Sequence, residues 1–248
     1  MLHFSILDDT LSLLRQDRCL YQLRVGDAPI RVGRGENTFS MTRGSFTIRE
    51  KIASEKPLVV REISLRGETA RIRFDDGFAL LSVSGDRLHV SFSGLESCNR
   101  MWLTLPAKIT EHVYGTGETF SEFDLRGQKV NVWVAEHQNA KMLARKKLKI
   151  KFGLTIADFK QKFSNYETYY AQPTFLSSRR YYFHSRTTAR CVFDFTKPDC
   201  HVLKTDSVDD FYIGFGDIKD NGGLDFVTGA GGYGHYLIFL AAPAANGG

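Results

Sequence analysis

VYGTGETFSEFDLRGQKVNVWVAE, running from Val113 to Glu136, is the stretch around which the chain is organised. It opens as a short strand at His112, Val113 and Tyr114, then breaks at Gly115 and Gly117, residues that can take φ > 0 or let another backbone come close. Glu118, Phe120, Phe123 and Leu125 lead across to a further glycine at 127. Val130, Val132 and Val134 then alternate with Lys129, Asn131 and Trp133, as a half-buried strand requires. The reading is a long ordered loop between two strands, with Gly115, Gly117, Glu118, Arg126 and Gly127 as its structural residues. Glu118, an acid placed after Gly-x-Gly, is expected to accept backbone N–H bonds and pin the crossover. Gly115-Thr116-Gly117 is not a phosphate cradle, because it lacks the third glycine, the following lysine and the opening helix. Glu111 and His112 are no acid/base pair either, since neighbours in a strand point to opposite faces.

Upstream of this stretch the text is a succession of short alternating runs: Phe46-Ile48, Leu58-Val60-Glu62-Ile63, Ala70-Ile72-Phe74, Phe78-Leu80 and Leu88-Val90-Phe92. Turn cues close them at Lys56-Pro57, Arg66-Gly67, Asp75-Asp76-Gly77, Ser84-Gly85-Asp86 and Ser93-Gly94. Asp76-Gly77 and Gly85-Asp86 favour primed hairpin turns, so these strands are expected to pair antiparallel in sequence order as a meander. This rhythm, with no helical pattern before residue 140, predicts an all-β antiparallel sandwich and excludes a parallel α/β sheet. Residues 1 to 30 read as two short strands joined by a turn at Asp8 to Thr10. Further strands are expected at Arg180 to His184, Ala189 to Phe195, His201 to Lys204 and Phe211 to Ile213.

Between the two blocks of strands, Phe152, Ile156, Phe159 and Phe163 recur at helical spacing, predicting one short helix near residues 156 to 163. The domain is expected to span residues 1–213. Residues 214–248 hold ten of the chain's 22 glycines and read as a disordered or divergent tail.

The net charge of +5 is local: Lys141, Arg145, Lys146, Lys147, Lys149 and Lys151 carry six positive charges, and without them the net charge falls to −1. That argues against a nucleic-acid-binding surface. Cys19, Cys98, Cys191 and Cys200 form no CxxC pair and no metal-ligand spacing with the histidines, so neither metal nor cofactor is expected. Asp8 and Asp9 interrupt the start where a signal peptide needs its apolar run, and the run from Tyr236 to Ala245 is about half of the ~20 residues a membrane helix needs. A soluble, cytoplasmic protein with reduced thiols is expected, with no membrane partner. Tyr166, Tyr169, Tyr170, Phe175, Tyr181 and Tyr182 are expected in core or domain-interface packing, and an apolar surface patch is expected around Trp133, Tyr169, Tyr170 and Phe175.

The order tyrosine, Gly-x-Gly-Glu, Phe-containing crossover, Leu-Arg-Gly and aromatic strand ending in an acid resembles the amino-terminal β-sandwich domain of the glycoside hydrolase family 31 α-glycosidases, and the sulfoquinovosidase branch in particular. Arg31 to Phe46, Gln172 to Tyr182 and Cys191 to Pro198 agree in the family's order, so that the resemblance spans roughly residues 30 to 213. It implies a galactose-mutarotase-like sandwich serving a retaining α-glycosidase of carbohydrate metabolism, whose two catalytic carboxylates stand on a (β/α)8 barrel. The chain carries no counterpart of those motifs, so no catalytic residue carries over and the chain alone is expected to be inactive. The expected partners are the barrel and, in the intact enzyme, an α-glycoside. Glu136, His137 and Gln138 fall where the family's strand enters a loop near the active site. They either approach substrate or order the turn; here AEHQNA replaces the family's acid, Gln and Gly-rich turn. The alternatives are a free-standing carbohydrate-binding module and a non-functional fragment.

Overall fold

The computed structural model describes residues 1–42, 45–119, 122–134, 168–218 and 224–225. Every regular element among them is a β-strand. β1 (Leu2–Leu7), β2 (Thr10–Arg15) and β3 (Arg18–Arg24) form a small antiparallel sheet. Asp8 and Asp9 both hold positive φ in the β1–β2 turn, the backbone a tight primed hairpin needs. The expected pair of amino-terminal strands is thus a triplet. The third strand pairs Leu11 with Leu23 and Leu13 with Tyr21, and a bulge at Leu13/Leu14 hides its alternation from a sequence reading.

β4 (Ile30–Thr42) and β5 (Ser45–Leu58) make one long hairpin. The expected meander therefore does not begin at Phe46: that run lies in β5, whose partner is β4, in a different sheet. Lys56-Pro57 is no turn, for Pro57 pairs with Arg31 inside the ladder. A proline is tolerated there because β5 is the edge strand, where a missing N–H costs no ladder bond. The meander proper is β6 (Glu62–Arg66), β7 (Thr69–Phe74), β8 (Gly77–Ser84) and β9 (Arg87–Ser93), each paired to the next. β10 (Arg100–Pro106), β11 (Val113–Thr119), β12 (Lys129–Val132), β13 (Thr168–Ser177), β14 (Tyr181–Ser185), β15 (Cys191–Asp194), β16 (Cys200–Thr205) and β17 (Phe211–Phe215) follow, with a two-residue pair beyond them, β18 (Asp217–Ile218) and β19 (Leu224–Asp225). The helix expected near 156 to 163 lies outside the described residues.

Two sheets result, ordered β12-β15-β16-β10-β4-β5 and β11-β13-β14-β17-β9-β8-β7-β6. Their inner faces follow from period-two alternation: Ala70, Ile72 and Phe74 on β7, Ala79, Leu81 and Val83 on β8, and Leu88 and Val90 on β9 are all buried. Phe175 and Phe183 from the larger sheet meet Phe193 and Phe195 from the smaller one, with ring centroids 5.1 to 6.2 Å apart. All four rings are fully buried, each contributing on the order of 2–3 kcal/mol. Phe175 lies at the centre of this core, so the expected surface patch around it does not form. Tyr181 and Tyr182 are likewise buried, whereas Tyr170 stays half exposed.

Candidate functional site

The loop between β11 and β12 carries the chain from the edge of the eight-stranded sheet to the edge of the six-stranded one. Gly115 and Gly117, with positive φ, flank a bulge where β11 presses on β13. A Cβ on Gly117 would stand 1.9 Å from the Tyr170 carbonyl oxygen, so only glycine fits. Thr116 between them also holds a positive φ and is buried.

Asp124 ties the crossover down. Its carboxylate accepts the backbone N–H of Val113 at 3.1 Å and of Arg126 at 3.0 Å, and pairs with His112 Nδ1 at 2.6 Å. Glu118 is exposed, and Asp124 is the acid that accepts these backbone bonds among the described residues. Arg126 donates to three carbonyls, of Phe195, Lys108 and Pro198, at 2.9 to 3.1 Å. The Gly127 N–H joins it on the Phe195 oxygen at 3.0 Å. This region is therefore a fixed frame for whatever follows β12.

Behind the frame lies a buried polar knot that local sequence does not reveal. Glu111 Oε1 accepts from Ser177 Oγ at 2.5 Å, Tyr181 Oη at 2.9 Å and His201 Nε2 at 3.1 Å, while Oε2 accepts the Lys108 N–H at 3.1 Å. Burial pushes the Glu111 carboxyl up, but the bonds from His201 and Ser177 outweigh it and hold the carboxyl at about 2. Burial and the charge of Glu111 push the Tyr181 phenol up, so it remains a donor. His112, the sequence neighbour, is exposed and turned toward Asp124, as opposite-facing neighbours should be. With the side chains of Glu111 and His201 wholly shielded from solvent, the knot fastens β16 to β13 and β14.

The outer face of the six-stranded sheet is different. Asn131, Val192, Lys204, Trp102 and Arg31 stand opposite one another on successive strands as one row across it. Beside this row, Arg100 Nε lies 3.0 Å from Glu50 Oε1 and 3.2 Å from Asp206 Oδ1. Lys204 Nζ donates to Asp206 at 2.8 Å and also to Glu50. Arg190 Nε donates to Asn131 Oδ1 at 2.8 Å, and its Nη1 stands 3.5 Å from Asp206 without a hydrogen bond. Burial pushes Asp206 up; the bonds from Lys204 and Asn37 reverse that and lower it. Among the described residues, Arg100, Arg190 and Lys204 thus gather about Glu50 and Asp206 in a largely buried network.

At the end of this face, β12 runs out into Trp133 and Val134. The Trp133 ring packs on Phe39 at 5.5 Å and Phe46 at 6.0 Å of the β4–β5 hairpin, with its indole N–H buried and unpartnered among the described residues. Phe39, Met41 and Val134 are exposed around it. Glu136, His137 and Gln138 lie outside the described residues, as does the side chain of Tyr169. The apolar patch expected around Trp133 is built here with Phe39 and Met41 rather than Phe175; those two partners escape a sequence reading because they lie about ninety positions from Trp133.

No family model matches the chain. Two curated proteins named sulfoquinovosidase, from Agrobacterium fabrum and Escherichia coli, are each 31% identical to it over 206 residues, covering 82% and 79% of this chain and 30% and 29% of their own lengths. A solved glycoside hydrolase family 31 sulfoquinovosidase from E. rectale, in complex with an aza-sugar inhibitor, superposes with a TM-score of 0.72 at 26% identity, covering 87% of this chain and 32% of that one. In sequence and fold the chain is sulfoquinovosidase-like, similar to one part of these glycoside hydrolase family 31 enzymes. It spans about 30% of the length of the curated relatives it matches.

Proposed function

We propose that the chain is the amino-terminal accessory domain of a retaining α-glycosidase of sulfoquinovosidase type, packing against a catalytic (β/α)8 barrel and shaping its substrate site. The observation that carries this reading is the unfinished surface where β12 ends. Exposed Phe39, Met41 and Val134 adjoin Trp133, whose indole N–H lacks an acceptor among the described residues, and a charge network in which Arg100, Arg190 and Lys204 gather about Glu50 and Asp206. Such a mixture of apolar rim and uncompensated polar groups is what a docking face presents before its partner covers it. In retaining chemistry the two carboxylates stand about 5 Å apart, a geometry this domain would leave to the barrel. Its own part is to hold the loop after β12, so that Glu136, His137 and Gln138 border the α-glycoside. The four cysteines are unpaired, which suits a cytoplasmic enzyme.

The test is a chimera in which residues 30–218 replace the matching stretch of the Agrobacterium fabrum enzyme. Hydrolysis of an aryl α-sulfoquinovoside by the chimera, with none by this chain alone, is the expected result. Turnover by the isolated chain, abolished by changing one of its own acids, contradicts it.

A further inference from the structure

Where the three sheets meet, the core does not close. The inner faces of the two large sheets and the underside of β2–β3 enclose a cavity of about 160 Å³. Its walls are apolar: Leu13 and Leu23 from the small sheet, Leu103 from the six-stranded sheet, and Ala79, Val90 and Ile213 from the eight-stranded one. Protein interiors leave few voids larger than a water molecule, so a space of this size at the centre of a sandwich demands an account. An apolar cavity of ~150 Å³ stays dry and admits a ring or chain of roughly six carbons.

Arg18, Cys19, Pro106 and Arg179 are the exposed members of the lining, and they mark the mouth. Arg18 has no ion pair among the described residues. Arg179 donates to the Pro106 carbonyl at 2.9 Å and lies 3.9 Å from Glu111, so its charge is partly answered from behind. Tyr21, also in the lining, has a phenol with no hydrogen-bond partner among the described residues. Burial and the nearby Asp27 push it up to about 12, so it remains a donor. An exposed guanidinium without an ion pair among the described residues at the mouth, and a phenolic donor in an otherwise apolar lining, fit a molecule with an anionic head and a short aliphatic tail.

We propose that this cavity is a binding site for a single aliphatic chain of roughly six to eight carbons bearing an anionic head, its tail among Leu23, Val90 and Ile213 and its head at Arg18 and Tyr21. The site is separate from the face around Trp133, so it stands whether or not that face docks on a barrel.

Titration calorimetry of the purified chain with octanoate tests the proposal, with acetate and 1-octanol as companions. Saturable one-to-one binding of octanoate and none of acetate is expected. Arg18→Glu, a change at an exposed hairpin position, should weaken octanoate at least about ten-fold and leave 1-octanol unchanged. Ala79→Leu should fill the space and abolish both; Val90→Phe does the same from the adjacent strand should the first variant fail to fold, as judged by circular dichroism. The absence of saturable octanoate binding overturns the proposal, as does binding that is equal in the wild-type and filled proteins or unmoved by Arg18→Glu.

Discussion

His201 Nε2 on β16 lies 3.1 Å from Glu111 Oε1, with both side chains wholly shielded from solvent, and this contact ties the six-stranded sheet to the loop that enters the eight-stranded one. Ser177 and Tyr181 bring β13 and β14 to the same oxygen. One carboxylate thereby fixes the spacing of the layers at the end where β11 begins, to which the crossover returns through Asp124 and Leu125.

Glu111→Gln should destabilise the domain by about 3 kcal/mol, because the neutral amide turns an N–H₂ toward groups that themselves donate and leaves buried donors unmatched. Urea unfolding of both proteins at neutral pH measures the difference. A loss well under 1 kcal/mol would show that the knot relaxes around the amide.

Acid should weaken the fold through the same residue. The Glu111 carboxyl is lowered from its ordinary 4.5 to about 2 in the folded protein, so the unfolded chain binds its proton first as the pH drops. The stabilisation is complete above pH 4.5 and is lost between there and about 2; its size is on the order of 3 kcal/mol. Urea midpoints at pH 7 and pH 3 should differ in the wild type and differ less in Glu111→Gln. An equal drop in both would assign the acid sensitivity to other carboxylates.

Two glycines of the crossover should respond unequally to alanine. Both hold positive φ, but a Cβ on Gly117 meets the Tyr170 carbonyl at 1.9 Å whereas nothing lies within 4 Å of one on Gly127. Gly127→Ala should cost only the backbone strain, about 1 kcal/mol, and Gly117→Ala more than about 3, since β11 must part from β13. Thermal melts of the pair decide it, and equal losses would contradict the close approach.

Arg126→Ala should loosen the crossover more than the core. The three carbonyls it holds belong to Lys108, Phe195 and Pro198. Amide hydrogen exchange at Leu125 and Gly127 should quicken at least about ten-fold, with β10 amides such as Leu103 little changed. Uniform quickening would mean that Arg126 supports the whole domain.

Much of this architecture can be read in the sequence where side-chain alternation and turn chemistry coincide. Ala70-Ile72-Phe74, Asp76-Gly77 and Leu88-Val90 show β7 to β9 because buried and exposed positions alternate strictly there. The β4–β5 hairpin is hidden because Gly33, Gly35 and a run of polar residues break the alternation, and the pairing is carried by backbone bonds. Pro57 misleads because edge position, a property of the assembled sheet, is what makes it tolerable. Glu111 is illegible for a simpler reason: Ser177, Tyr181 and His201 stand 66 to 90 residues away in the chain. The resemblance of Val113 to Glu136 to family 31 located the crossover, while the acid that holds its backbone, Asp124, is told from Glu118 only by geometry.

The central claim is that the face around Trp133 exists to be covered by a barrel, and sedimentation velocity of the purified chain with and without mono- and oligosaccharides tests it most directly. The account predicts self-association at micromolar concentration, reduced in a Phe39→Ser, Met41→Ser variant that keeps its fold and unaffected by sugars. A clean monomer that binds sugar with millimolar or better affinity would contradict it and make the domain a carbohydrate-binding module.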